Sequence, residues 1–367
     1  MDLDEYQTDR VDGAKDFGPA VSVIAQQVPQ LRAMTIEGPC TELFLSLQRL
    51  GRLRDLTLSA LSQDFMGSSL LKSMSSLPEL ERLEIFVYDE LPKSGVSLAH
   101  VDVSEGFCHL THLDIRTSAL GLSRLLDGVP PNQLSSLAWG LTESEDEIIL
   151  VETAHSQIPD VFSKLATKQR NTLSSLRATW HLFEYVFIED ENKDAIHRWR
   201  GVFEVLFGLS GLEKLVYHFP LHFSDNLLQH VANAWPKMVD MRFRRFMEGS
   251  VSPSSLSHFA RNCPHLRTLF VPLKAGNSDI PPDVSGNETS HPLNTLFVGY
   301  GNKPQNPQTL AKYLSQMFPF VNIDGSILEG NNKWKTVQRM LETSRKEGRK
   351  ELLTGQGPMG DNSTPVV

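Results

Sequence analysis

One short pattern recurs along the chain: an apolar residue, two others, an apolar residue, one other, and an apolar residue. It reads Leu31-Met34-Ile36, Leu53-Leu56-Leu58, Leu80-Leu83-Ile85, Leu110-Leu113-Ile115 and Leu134-Leu137-Trp139. It continues as Leu173-Leu176-Ala178, Leu212-Leu215-Tyr217, Met238-Met241-Phe243, Leu266-Leu269-Val271, Leu293-Leu296-Val298 and Phe318-Val321-Ile323. The central residues of successive copies are 22 to 30 apart, except for two steps of 39. In apolar-x-apolar the outer side chains point to one face of a strand and the middle one to the other. A strand this short is not stable alone, so the copies must stack and bury their inward faces jointly.

The connecting segments say how the copies stack. Parallel strands need a crossover, and several segments between copies read as amphipathic helices. Trp199, Val202, Phe203, Leu206 and Phe207 fall at i, i+3, i+4, i+7 and i+8. Ser224 is placed to cap a helix carrying Leu227, Leu228, Val231 and Ala232, while Ser252-Pro253 and Asn306-Pro307 each supply an N-cap followed by proline at the first helical position. Strand and helix repeated every 20–29 residues or so is the period of a leucine-rich repeat. The expected fold is therefore α/β: an irregular leucine-rich-repeat-like solenoid, with a parallel sheet on the concave face and helices on the convex face. It is expected to span 19–351 and to end in a capping helix, with 1–18 and 352–367 as disordered tails.

Two departures from a regular repeat stand out. The Asn or Cys that usually closes the turn after the strand is missing, with Leu61 and Ser118 in two such places, so the usual ladder of buried amides is not expected. The 39-residue steps hold acidic stretches, ESEDE at 143–147 and EDENKD at 189–194, expected as solvated loops. The stretch 274–292, rich in Gly, Pro, Ser and Asn, reads as a long surface loop.

Charge and motifs narrow the function. The 35 Lys and Arg against 44 Asp and Glu give a net charge of −9, which disfavours nucleic acid as the partner. The acidic start is not a secretory signal, and no apolar run reaches the roughly 18 residues of a membrane helix. Three distant cysteines, Cys40, Cys108 and Cys263, fit a reducing compartment, cytoplasmic or nuclear. No nucleophile elbow, P-loop or HExxH is present, and Gly355–Gly360 matches GxGxxG only in a tail without strand or helix around it. His218 and His222 are spaced as a helical metal pair, but Pro220 breaks the helix that would align them. Cys263 reads as a packing cysteine. No enzyme activity, cofactor or metal is expected. The outward strand positions are then the candidate protein-binding residues. Early in the chain these are Asp55, Arg82, Glu84, His112, Asp114 and Arg116; later come Arg242, Arg244, Phe270 and Phe297. Arginine and aromatic side chains are favoured as interface anchors. The two phenylalanines are equally well explained by packing beneath the 274–292 loop or the C-terminal helix. The run Lys333, Lys335, Arg339, Arg345, Lys346, Arg349 and Lys350 accompanies Trp334, Val337, Met340 and Leu341 at helical spacing, as in a capping helix with a basic outer face.

The stretches LPELERLEI (77–85) and CPHLRTLFV (263–271), with PLNTLFVG (292–299), TLAKYLSQMFP (309–319) and WKTV (334–337), resemble fungal F-box proteins with leucine-rich-repeat tails, in particular the F-box-like families of mushroom-forming fungi. The resemblance covers roughly 20–345. It implies a non-catalytic substrate receptor of a cullin–RING ubiquitin ligase, with an adaptor and cullin as partners besides the protein substrate. The roughly thirty residues ahead of the first repeat are too few for an F-box. The chain is therefore expected to be a fragment, an incomplete stretch of a longer protein, or a member that has lost the box. A free-standing repeat scaffold or inhibitor, monomeric outside a complex, is the alternative.

Overall fold

The computed structural model describes residues 18–37, 47–61, 68–87, 106–141, 147–180, 193–219, 221–243, 248–249, 251–274, 291–298, 303–323 and 332–354. The chain forms two compact units, Met1–Asn192 with Gly201–Gly211, and Lys193–Arg200 with Leu212–Val367.

The first unit carries six strands: β1 (Ala33–Glu37), β2 (Asp55–Leu61), β3 (Arg82–Val87), β4 (His112–Thr117), β5 (Ser136–Leu141) and β6 (Ser175–Trp180). Each pairs in parallel with the next, and Met34, Leu56, Leu83, Leu113, Leu137 and Leu176 align across the sheet. Helices α1 (Gly18–Gln27), α2 (Ser68–Ser75), α3 (Ala119–Gly128) and α4 (Glu147–Lys168) occupy connecting segments. In the second unit β7 (Lys214–Tyr217), β9 (Asp240–Phe243), β11 (Thr268–Phe270), β12 (Thr295–Phe297) and β13 (Asn322–Ile323) pair in parallel in that order. A separate short pair joins β8 (His222–Phe223) to β10 (Glu248–Gly249). The expected leucine-rich-repeat-like α/β fold is what forms. From the second copy onward all three apolar positions of every copy are buried.

The repeats are tied by one backbone arrangement. In most repeats the carbonyl two residues ahead of the central apolar residue accepts two successive N–H groups from the next repeat: Arg54 O from Glu81 and Arg82, Glu81 O from Thr111 and His112, Thr111 O from Ser135 and Ser136. Glu213, Val239 and Arg267 do the same in the second unit. In the first unit the hydroxyls of Thr111, Ser135 and Ser174 donate to these same carbonyls, at 3.0–3.2 Å. This hydroxyl-assisted ladder lies at the entry to the strands, at the other end from the turn where the asparagine ladder is not expected. Ser118 is absent from any such ladder because it caps α3, its Oγ accepting from Gly121 N–H at 3.2 Å.

A second feature of the repeat lies just ahead of the strand. An apolar residue followed by proline ends the preceding segment in Val28-Pro29, Leu77-Pro78, Trp235-Pro236, Cys263-Pro264 and Phe318-Pro319. Its carbonyl accepts the N–H three residues on, which is the first apolar position of the strand motif in Leu31, Met238, Leu266 and Val321. This corrects the last copy. Phe318 is the C-cap of a helix, equivalent to Cys263, and Val321 is the first apolar position. The copy is one residue short, so Ile323, not Val321, pairs with Leu296.

Helices differ from expectation in places. Lys193–Glu204 (α5) continues as a 3-10 turn over Val205–Gly208, burying Trp199, Val202, Phe203 and Leu206, with Phe207 half-buried. Helices α6 (Asp225–Ala234) and α8 (Pro307–Met317) are capped by Ser224 and Asn306 as expected. Ser252 makes no side-chain cap: its N–H and Oγ donate to Asp225 in the first turn of α6, at 2.7 and 3.1 Å. A 3-10 turn over Pro253–Ser255 then leads into α7 (Leu256–Asn262). The first 39-residue step is filled by the 22-residue α4, in which Ile158, Val161, Phe162 and Leu165 are buried. Glu147 of the acidic stretch opens that helix, and 142–146, 189–192 and 275–290 lie outside the described residues. The last helix, α9 (Asn332–Thr354), takes in three residues assigned to the C-terminal tail; 1–17 and 355–367 also lie outside the described residues. Its Trp334, Val337 and Leu341 are buried. Gln338 Oε1 accepts the Ile323 N–H at 2.8 Å, meeting a backbone donor of the last described strand.

Polar side chains also lock α3 to α4. Lys168 Nζ donates to the Leu126 and Asp127 carbonyls at the C-terminus of α3, at 2.8 and 3.0 Å, where a cation is favoured by the helix dipole. Gln169, fully buried, accepts from the Gln133 and Leu134 N–H groups at 2.8 and 3.0 Å and donates to Pro130 O at 2.9 Å. Gln169→Met keeps the side-chain length but strands these groups. With each orphaned buried group costing about 1–3 kcal/mol, a loss of about 2–4 kcal/mol is expected in urea unfolding of the variant.

His291 ties two repeats of the second unit. It is buried, its Nε2 lies 2.9 Å from the Cys263 carbonyl, and its Nδ1 accepts from Leu293 N–H at 3.2 Å, so the ring is neutral with the proton on Nε2. Burial holds its pKa below the ordinary value, with backbone hydrogen bonds opposing. The unfolded chain takes up this proton near pH 6.5 and the folded chain only at lower pH, so the contribution is full above about 6.5 and is lost as pH falls through the native value. His291→Gln keeps a donor and an acceptor. The stability gap between wild type and variant, measured by thermal unfolding, is expected to shrink from pH 7.5 to 5.5.

Candidate functional site

Because Leu, Ile and Trp claim the inward positions of β3–β6, the alternate residues line the opposite, open face of the strands. The register sets them in rows. Arg82, His112, Ser136 and Ser175 share one row, and Glu84, Asp114, Ala138 and Arg177 the next. Ser136 and Ala138 carry little bulk, so the middle of this face is low. A depression of about 230 Å³ lies there, between Arg82, Glu84, His112 and Asp114 on one side and Arg177 on the other.

The charges are unevenly satisfied. Arg82 Nε lies 3.7 Å from Asp55, Arg116 sits over the Phe86 ring at 5.5 Å, and Glu84 accepts from Thr57 Oγ1 at 3.3 Å. Asp114, half-buried, has no hydrogen bond or ion pair among the described residues. Burial pushes its pKa up; Arg177 and Arg116 oppose this, and Glu84 adds to it.

The structure thus brings four of the expected outward residues, Arg82, Glu84, His112 and Asp114, to the depression, while Arg116, over the Phe86 ring, does not line it. Arg177 is not among the residues expected from the sequence; the register, through Ala138, is the signal that places it across from Asp114. In the second unit Phe270 and Phe297 are in register and stack face to face, with centroids 3.6 Å apart and planes 14° apart. Phe297 is 9% exposed and Phe270 half-buried, so the pair offers less free aromatic surface than two separate outward rings. Arg242 donates to its own strand's Asp240 at 2.9 Å, and Arg244 lies outside the described residues. His218 and His222 do not share a helix, and among the described residues no three His, Cys, Asp or Glu side chains gather as a metal site. No helix among the described residues is long and apolar enough to cross a membrane.

No protein-family model matches the sequence, and none of the curated proteins does. Among solved structures, an internalin (InlF) of Listeria monocytogenes aligns over 85% of this chain and 95% of its own, at 14% identity and a TM-score of 0.37. A chain of the yeast Rad7–Elc1 complex aligns over 84% of this chain and 82% of its own, at 16% identity and a TM-score of 0.41. Likenesses this slight carry no argument about what the chain does.

Cys263 is settled by its surroundings. The thiol is buried, directed at the Ala232 and Trp235 carbonyls at 3.5 Å, and burial raises its pKa to about 12. A thiolate is the reactive form, so this cysteine is inert in the folded chain. Cys108 is exposed. Iodoacetamide at pH 8 is expected to alkylate Cys108 in the native chain and Cys263 only after denaturation, as read by peptide mass mapping.

Proposed function

We propose that the chain is a non-catalytic protein-binding module, and that it is the substrate-recognition part of an F-box-type subunit of a cullin–RING ubiquitin ligase acting in the cytoplasm or nucleus. The observation that carries the binding role is the open face of β3–β6. There the core consumes every inward position, while the outward rows hold charged side chains around a depression. A surface of this kind can recognise a polypeptide. The ligase role is supported by the resemblance of the closing repeats to fungal F-box proteins, and a free-standing scaffold shares the same binding face.

Affinity purification of the full chain from its native cells, with mass spectrometry, tests both parts. Adaptor and cullin are expected in stoichiometric amount together with a protein substrate. Arg82→Glu combined with Arg116→Glu is expected to lose the substrate at least tenfold while keeping adaptor and cullin, and Phe270→Ala with Phe297→Ala reports whether the second unit shares the contact. A reproducible partner without adaptor or cullin overturns the ligase role. A full set of partners retained by a folded Arg82→Glu, Arg116→Glu variant overturns the assignment of the binding face.

A further inference from the structure

The rows on the open face are electrostatically incomplete in a way that specifies what would complete them. Glu84 and Asp114 stand in register on neighbouring strands, about 5 Å apart by the strand spacing. Like charges directly opposite one another on a sheet repel. No cation of the chain forms an ion pair with either among the described residues: Arg82 is turned to Asp55 and Arg116 to the Phe86 ring, and Arg177, two strands away, favours the Asp114 carboxylate only from a distance. The Asp114 carboxylate is half-buried yet has no donor among the described residues. A half-buried carboxylate that lacks a hydrogen-bond donor is costly even with cations at a distance, and an ammonium or guanidinium arriving from outside would relieve the repulsion from Glu84 and supply the missing hydrogen bonds.

The far wall has the opposite sign. Arg177 is exposed and, like Asp114, has no hydrogen bond or ion pair among the described residues. It is separated from Asp114 by Ala138, whose small side chain leaves the floor open. Two strand spacings put the walls about 10 Å apart, which an extended peptide at roughly 3.3 Å per residue covers in about three residues.

We propose that the depression on β3–β6 receives an extended polypeptide segment bearing a lysine or arginine, seated between Glu84 and Asp114, with an aspartate or glutamate two to four positions along it held by Arg177. This rests on the reading of the open strand face as a protein-binding surface, and it gives that surface a substrate class: segments with a basic and an acidic residue at close spacing. The volume of about 230 Å³ has room for one long side chain, and the rest of the segment lies along the open face.

The test is selection from a phage-displayed library of random twelve-residue peptides on the immobilised full chain. Wild type, Asp114→Asn and Arg177→Gln are compared, each first checked for an unchanged thermal unfolding midpoint. Wild type is expected to enrich Lys or Arg followed at two to four positions by Asp or Glu. Asp114→Asn is expected to lose the basic preference and to bind the best wild-type peptide at least tenfold more weakly. Arg177→Gln is expected to lose only the acidic preference. Enrichment without a basic residue, the same basic preference in Asp114→Asn, or no enrichment at all overturns the inference. The broader binding role stands or falls separately, on whether native partners purify with the chain and are lost from the Arg82→Glu, Arg116→Glu variant.

Discussion

The rest of the structure depends on the paired N–H groups that most repeats donate to one carbonyl of the repeat before. A parallel ladder fixes the register only if something holds the first pairing, and here the residue two ahead of the central apolar position does so in repeat after repeat, from Arg32 to Ser135 in the first unit and from Glu213 to Arg267 in the second. With that contact in place, Leu56, Leu83, Leu113, Leu137 and Leu176 must lie side by side. A slip by one residue would turn every inward leucine outward, so the buried leucines and the carbonyl acceptor enforce the same answer. The hydroxyls of Thr111, Ser135 and Ser174 add a further donor to those carbonyls at the entry to β4, β5 and β6.

The strands were legible in the sequence for a simple reason: their inward positions must be apolar and must alternate, and the chain has little freedom to disguise that. The last copy was misphased because Phe318 is a large buried residue three places ahead of Val321 and so imitates the first position of the motif. Only the hydrogen bond from Val321 N–H to the Phe318 carbonyl, repeated at Leu266 and Met238, shows that Phe318 ends a helix. Helix α4 is hard to read from the sequence because it carries Pro159, a residue that usually ends a helix, and because its acidic approach resembles a loop. Gln169 could not have been found at all. A single glutamine has no pattern, and its importance comes from three backbone groups that the fold brings around it.

The site was legible in half. That Arg82, Glu84, Asp114 and Arg116 face outward follows from alternation alone. That Arg82, Glu84 and Asp114 border a depression does not, because the depression comes from the lack of bulk at Ser136, Ala138 and Ser175 on the neighbouring strands. Absence of bulk carries no sequence signal until the register sets it beside the charges. The same holds for Phe270 and Phe297, whose adjacency was predictable from the step between copies but whose stacking, which uses up much of their surface on each other, was not.

Inward and outward positions of this fold answer to different demands, and that separation is what gives the open face its meaning. Every inward side chain is constrained by close packing, where one methylene more or less is felt. An outward residue is free to change with small effect on stability, usually within about 0.5 kcal/mol. A chain under demand for stability alone has no reason to set Glu84 beside Asp114 and leave the latter without a donor, when a threonine or lysine at either place would relieve the repulsion. Places where a sequence departs from local good sense are where function is to be sought. On this face the departure coincides with the depression and lies opposite an arginine that has no ion pair among the described residues, and the proposed binding of a polypeptide rests on these three together.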